Sequence, residues 1–520
     1  MSADNFTFID THDEFQPATD NGVDLSDNAS LDSILKQTGL RKAARVYADL
    51  TTDASDSFAN QYPDSTHANR KAQEKATQLI LRLINQIDCQ LEQQVNEILH
   101  HERFQKLESS WRSLHSLTGE ADQYDRDNQV KVKLLNCCWA SLSKDMGRAI
   151  DFDQSAFFKH VYQNEFDNPG GEPFGVLIGD YEISHLPRSG LSHHDLDTLS
   201  EVTRTCAAAF VPFITAASPE LFGVSHYAEL GYHMNLSRQF EQSNYVKWNR
   251  LREMEESRFL GLTVPRVLLR EPYIDDDTRK EAFKFREQTT NSSKHMLWGN
   301  AAYPFAVTLI RAFCESGWFG HIRGLQPGQM KKGIVSNLAQ APFETDIYQK
   351  CPKAPVDLLV TERQEKELSN LGFIPVSPVP NSGFVAFYSN ASAQKPQRYD
   401  SLSATVNAKI SAMLQYVLCV SRFAHYIKIL SRERIGSYAT AQSCERDLQS
   451  WINQYTTASD SASEEVRSRY PLSDAKVTVR EHASRPGHYY SVLQLQPHFQ
   501  LDQMISSIRM VTELTPKHMN

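Results

Sequence analysis

The chain has 520 residues, 40% hydrophobic and 22% charged, with 54 Lys and Arg against 63 Asp and Glu and a net charge of −9. That length is enough for more than one domain and a large core. The acidic balance and the lack of any dense Lys/Arg run exclude a nucleic-acid surface, which needs a basic patch.

Residues 1–65 are acidic, rich in Ser, Asp and Asn and poor in large apolar side chains. They predict an extended arm, with a plain flexible tail as the competing reading. Phe6–Ile9 suits one short strand and Leu31–Leu50 one marginal helix. Lys71–His101 predicts a strong helix: Leu79, Ile80, Leu83, Ile84, Ile87, Leu91, Val95, Ile98 and Leu99 form one apolar stripe. At 1.5 Å per residue such a rod is roughly 45 Å long. Phe104–Leu117 continues as a second helix with Phe104, Leu107, Trp111 and Leu114 turned inward. Val130–Asn136 reads as a strand that leads into a helix ending near Ile150.

Phe157, Phe158, Val161 and Tyr162 fall at near-helical spacing, with Asp151 or Asp153 as the expected cap. Asn168-Pro169-Gly170-Gly171 stops that helix. Phe174–Gly179 then reads as a buried strand, with Asp180 and Glu182 at its end. Those glycines match neither G-x-G-x-x-G nor the P-loop, so a tight turn is favoured over a phosphate cradle. Leu196–Ala209 reads as a helix, Phe210–Ala216 as a strand, and Leu260–Leu269 as an apolar segment broken by Pro265. Ala301–Ser316 and Glu362–Leu371 read as helices. Trp318–Arg323, Val356–Thr361 and Gly383–Tyr388 read as strands. This alternation predicts an α/β core.

Asp400–Ser437 and Ser443–Tyr455 read as helical. Leu472–Arg480 and His488–Gln496 form a predicted hairpin around Arg485-Pro486-Gly487. Its alternation is carried by Val477, Val479, Tyr489, Val492 or Leu493, and Leu495. The last helix, Leu501–Leu514, puts Leu501, Met504, Ile505 and Ile508 on one face and leaves Gln503, Ser507 and Arg509 off it.

The search for chemistry finds little. There is no H-E-x-x-H, no G-x-S-x-G, no kinase set and no metal-spaced Cys/His group. His185, His193, His194 and Asp195 are the densest ligand candidates, in a loop better read as surface. His100, His101 and His498 read as packing or capping residues, and His425 as a hydrogen-bonded core histidine. The eight cysteines, with no C-x-x-C, fit reduced thiols. Residues 1–35 hold no Lys or Arg and no long apolar run, so no secretory signal is expected. Ile410–Leu430 carries Gln415, Arg422, His425 and Lys428, which argues for a buried or partner-facing helix and against a membrane span.

Pro169–His185, PGGEPFGVLIGDYEISH, resembles the large subunit of the type VI secretion contractile sheath, the VipB, TssC or EvpB family. So do Phe104–Leu117, Ala209–Gly223, Tyr245–Arg270, Leu297–Tyr303, Thr361–Pro375, Ser421–Tyr426 and Gln496–Leu501. Eight blocks in the right order make a specific signal. The resemblance implies a mixed α/β, multi-domain sheath fold. Its parts are an N-terminal arm (1–65), a core with partner-binding helices (66–395) and a C-terminal region (396–520) of helices, hairpin and tube-facing helix.

It further implies a structural protein with no catalytic site, metal or cofactor of its own. The implied partners are a small sheath subunit (TssB/VipA-like) in an obligate heterodimer, neighbouring large subunits, an inner tube protein (Hcp-like), a baseplate and a recycling AAA+ ATPase (ClpV-like). The expected place is the bacterial cytoplasm, attached to the envelope through the baseplate, with no membrane insertion. In that scheme Val477, Val479, Tyr489, Val492, Leu493 and Leu495 belong to an inter-subunit sheet. Gln503, Ser507 and Arg509 face the tube, while Leu501, Met504, Ile505 and Ile508 anchor that helix. Segment Ser57–Asn69, with Pro63 inside it, departs from the β-prone stretch usual before the first long helix. A sheath-like paralogue restricted to the baseplate end and a cytoplasmic enzyme with a dispersed site are the competing readings.

Overall fold

The computed structural model describes residues 63–498, apart from residue 169 and 189–193, 233–234, 276–282, 290–292, 326–331, 341–352, 381, 434–440, 458–462 and 482–488. The chain divides into two compact units. One takes the chain up to Glu97 together with Ile274–Glu287; the other holds Ile98–Tyr273 and Gln288 onward. The first unit's main element is α1, Pro63–Leu99, which begins eight residues before the start expected from its apolar stripe. Pro63 opens it, a position where a missing N–H costs nothing.

In the second unit, α2 (Glu102–Tyr124) and α3 (Trp139–Arg148) come first. Then follow β1 (Leu177–Ile183), α4 (Asp195–Ala208), β2 (Phe213–Ala217), α5 (Val246–Glu253), β3 (Leu260–Val264) and β4 (Val267–Leu268). Next are β5 (Trp298–Gly299), α6 (Ala302–Ser316), β6 (Ile334–Val335), α7 (Glu362–Asn370), β7 (Ile374–Pro378) and β8 (Val385–Phe387). The C-terminal part holds α8 (Leu402–Ser411), α9 (Leu414–Glu433), α10 (Ala441–Asn453), α11 (Glu464–Arg469), β9 (Leu472–Glu481) and β10 (Tyr489–Pro497). The fold is mixed α/β.

Six strands form the central sheet in the order β1-β2-β3-β7-β8-β6. β1, β2, β3 and β7 run parallel; β8 is antiparallel to both β7 and β6. Alternate residues feed two cores, as the period of two requires. Phe213, Leu260, Leu262 and Phe373 join α4 and α5 on one face, where Trp248 stacks on Phe373 at 5.3 Å. Ile214, Ile374 and Val376 join α6 and Leu414 on the other. β2 and β3 are buried along their whole length because both faces are covered. Gly261 leaves that middle strand room, since a Cβ there would sit 2.8 Å from Leu414 Cδ1. A third core gathers Trp318, Phe423, Ile427, Leu448 and Ile452 under β9.

Several expectations change. The helix at Phe157 is a short turn, Ala156–Phe158, that runs on as a π-helix, Lys159–Asp167. Its cap is Ser155, whose Oγ accepts the Phe158 N–H, and not Asp151 or Asp153. Asp145 instead accepts the neighbouring N–H groups of Ala156 and Phe157. β1 begins at Leu177 and contains Asp180 and Glu182. An edge strand tolerates them because polar groups reach it: Ser110 Oγ donates to Asp180. Val130–Asn136 is extended but joins no ladder among the described residues. Its lysines pair outward instead, Lys133 with Glu165 at 2.6 Å and Lys131 with Glu172.

Trp318–Arg323 is a run of bends, fixed by Trp318 stacking on Phe423 at 4.3 Å. Val356–Thr361 makes a single bridge, Val267 to Val356. The strand expected at Phe210–Ala216 starts at Phe213, because Phe210 takes a φ of 55°. Ile374–Pro378 is a strand that the pattern reading passes over. The helical region from Asp400 is two helices, broken where Met413 bridges Ala391.

Candidate functional site

The C-terminal hairpin is a two-stranded antiparallel sheet, with Val477 opposite Leu493 and Val479 opposite Ser491. Ala475, Val477 and Val479 alternate onto one face and are buried in the third core, and Leu493 and Leu495 pack against it. Val492 lies on the other face and is 43% exposed, beside Lys476, Gln494 and Arg480 in solvent. Tyr489 opens β10 opposite Glu481; its side chain lies outside the described part. The six residues expected at a strand interface are thus brought together. Val477, Val479, Leu493 and Leu495 turn their side chains to the chain's own core.

The direction of the hairpin's backbone groups follows from their partners. Val477 N–H donates to Gln449 Oε1 at 2.8 Å and Val479 N–H to Glu445 Oε2 at 2.9 Å. Both N–H groups therefore point away from β10. In an antiparallel ladder the residues opposite them also point away. Ser491 and Leu493 accordingly aim their N–H and C=O groups at the outer side of β10. Two strands alone are marginal in water, and among the described residues this pair is packed on one face, by α9 and α10.

Each unit also exposes apolar side chains of its own. On α1, Leu79, Leu81, Ile84 and Leu91 are exposed. On α2, Phe104 and Leu107 are exposed and Trp111 is 61% exposed, against the expectation that this stripe turns inward. The inner face of α2 is instead polar, with Ser113 and Glu120 buried beside Leu117 and Ala121. The extended stretch 130–136 adds Val132, Leu134 and Leu135, also exposed. On each helix, a row of large apolar side chains in solvent is a candidate contact face.

The histidines and acids do structural work. Asp195 is buried and accepts the Trp139 indole N–H at 2.8 Å and the Ser184 N–H at 3.1 Å. His194 stands at the N-cap position of α4 without a side-chain cap hydrogen bond, and His185 stacks on Tyr245 at 4.5 Å. His193 lies outside the described residues. His100 stacks on His295, and His101 accepts the Arg103 N–H at the start of α2. His425 is buried, with Nε2 3.0 Å from the Ala209 carbonyl. A carbonyl only accepts, so Nε2 carries the proton. Burial holds its pKa down at about 4, so the ring is neutral at pH 7. Among the described residues no group of three His, Cys, Asp or Glu is placed to hold a metal, and no helix is long and apolar enough to cross a membrane. A cleft between α2 and α6, walled by Ser113, Glu120, Tyr303 and Arg311, holds ≈ 30 Å³ of water-sized space. Small-molecule sites are commonly about 300 Å³ or more. Arg311 is engaged in it by the Ile334 carbonyl at 2.7 Å.

The arm at 1–62, the turn Arg485-Pro486-Gly487 and the final helix lie outside the described residues. With that helix go Leu501, Gln503, Met504, Ile505, Ser507, Ile508 and Arg509.

The family model described as EvpB/VC_A0108, tail sheath N-terminal domain, matches residues 81–394. That described as EvpB/VC_A0108, tail sheath gpW/gp25-like domain, matches 403–514, which contains α9, α10 and the hairpin. The chain belongs to the sheath large-subunit family of the type VI secretion system. Over 444 residues it is 38% identical to the type VI secretion system sheath protein TssC1 of Pseudomonas aeruginosa, covering 84% of this chain and 86% of that protein. A chain in a solved anti-feeding prophage baseplate matches 61% of this chain and 66% of its own length, at 10% identity and a TM-score of 0.34. That likeness is too distant to carry an argument. This sheath subunit is a structural component of the contractile sheath.

Proposed function

We propose that this sheath subunit acts as half of an obligate heterodimer with a small sheath subunit. The heterodimers stack in the cytoplasm, on a baseplate, into a helical tube around an inner tube, and contraction drives that tube out. A head-to-tail contact that does not close on itself generates such a filament. The work is mechanical, without a catalytic site, nucleic acid or membrane insertion, and a separate AAA+ ATPase recycles the contracted state. The three-part division at residues 65 and 395 belongs to this reading. So does a final helix anchored by Leu501, Met504, Ile505 and Ile508 with Gln503, Ser507 and Arg509 toward the tube.

The observation that carries the pairing is the apolar face exposed on α2, where Leu107 stands in solvent and Trp111 is 61% exposed. The small subunit covers it. The hairpin supports the second half of the reading: its outward groups on β10 accept strands from neighbouring subunits by β-augmentation. Co-expression with the small-subunit gene tests both. Negative stain should show tubes, and the chain expressed alone should aggregate. A well-behaved monomer at high concentration, with no tubes from the pair, overturns the reading.

A further inference from the structure

The outer edge of β9 is not bare. Gln449 Oε1 accepts the Val477 N–H at 2.8 Å, and its Nε2 donates to the Ala475 carbonyl at 2.8 Å. One side-chain amide therefore gives β9 an acceptor and a donor side by side, as a neighbouring strand's backbone would. Glu445, one turn earlier on α10, takes the next outward N–H, that of Val479, at 2.9 Å. The spacing agrees: four helix residues advance about 6 Å and two strand residues about 6.6 Å. Residues i and i+4 of a helix laid along a strand edge thus meet every second N–H. At the other end the chain continues the cover. Leu472 N–H donates to the Tyr455 carbonyl at 3.3 Å, and Thr457 N–H to the Leu472 carbonyl at 2.9 Å.

We propose that Glu445 and Gln449 seal the β9 edge, so that every strand contributed by a neighbouring subunit joins at β10. This rests on the reading of the hairpin as the seed of an inter-subunit sheet. An open edge is a template for wrong pairing, and a hairpin with two open edges has two ways to grow. The seal leaves one. The order within the woven sheet is then β9, β10, first added strand, second added strand. Because the seal is made by side chains of the same domain, it is in place before any neighbour arrives.

Amide hydrogen exchange with residue-level fragmentation, on the heterodimer with its small subunit and on assembled tubes, tests this. In the heterodimer Val477 and Val479 should be protected, while Ser491 and Leu493 exchange freely and gain protection only in tubes. Gln449→Ala should speed exchange at Val477 roughly tenfold and leave Val479 unchanged. Glu445→Ala should do the reverse, and Glu445→Gln, which keeps an acceptor, should leave Val479 protected. These changes should persist in tubes. If Val477 and Val479 regain full protection in tubes of the alanine variants, a neighbour's strand holds that edge and the proposal fails. If Ser491 and Leu493 gain nothing on assembly, the inter-subunit sheet itself is elsewhere. The growth rule then falls with it, although the heterodimer rates at Val477 and Val479 still report the side-chain contacts.

Discussion

Strand β3 lies between β2 and β7, with every residue from Leu260 to Val264 buried. Strand β10 lies at the rim of a two-stranded sheet, with Val492 and Gln494 in solvent. Both are strands of one chain, yet among the described residues the first has a neighbouring strand on each edge and the second on one edge only. In the central sheet both faces are covered, and even the hydroxyls turn inward: Thr215 donates to the Tyr181 carbonyl at 2.7 Å and Thr263 to the Thr215 carbonyl at 3.2 Å. In the hairpin, among the described residues, one face is covered, one edge is closed by Glu445 and Gln449, and one edge is left. The difference separates two uses of the same interactions. Burial around β3 stabilises the subunit; in the proposed reading the outward groups of β10 stabilise the assembly.

The comparison predicts that core lesions act on the subunit itself. Trp248 is fully buried and stacked on Phe373, so Trp248→Ala should cost about 3–5 kcal/mol. Denaturant unfolding of the heterodimer measures it, and an unchanged midpoint would show that the central core is not what holds the fold. A smaller effect comes from acid. An unfolded imidazole takes its proton near pH 6.5, whereas His425 in the folded chain takes it only at about 4. Stability is therefore full above pH 6.5 and falls as pH drops from 6.5 towards 4, by up to about 3 kcal/mol. Unfolding midpoints across that window should show the fall, and His425→Gln should flatten it. An equal slope in both would assign the acid sensitivity to other groups.

The exposed helices should behave in the opposite way from Trp248. Trp111→Ser should change subunit stability by no more than about 0.5 kcal/mol, as surface substitutions do. It should nevertheless weaken capture of the small subunit in pull-down. Full capture by that variant would take Trp111 out of the contact.

How much of this was legible in the sequence depends on what periodicity records. The stripe Leu79–Ile98 announces α1 because the 3.6-residue period survives over more than five turns, and the alternation through Val477 and Val479 announces β9. Periodicity also marks the apolar face of α2, but not which way it turns. Trp111 reads as core and stands in solvent, because the buried face of α2 is the one that carries Ser113, Leu117, Glu120 and Ala121. Polar residues signal a strand's end, so Asp180 and Glu182 conceal the second half of β1. Their tolerance depends on an edge position and on Ser110, distant in sequence. The seal on β9 leaves no signal at all. Glu445 and Gln449 are ordinary polar helix positions until the direction of two N–H groups is known.

The central claim is that β10 is left open for strands from other subunits, and a pair of proline substitutions tests it most directly. Ser491 N–H points outward, whereas Val492, opposite Thr478, points its N–H toward β9. Ser491→Pro removes a donor from the free edge and leaves the intramolecular ladder its own; Val492→Pro removes a donor from the ladder itself. Negative stain of each variant co-expressed with the small subunit is the measurement. The account predicts that Ser491→Pro yields soluble heterodimer and no tubes, while Val492→Pro loses the hairpin and yields less soluble protein. Long, regular tubes from Ser491→Pro would contradict it, and would make the hairpin an ordinary part of the subunit.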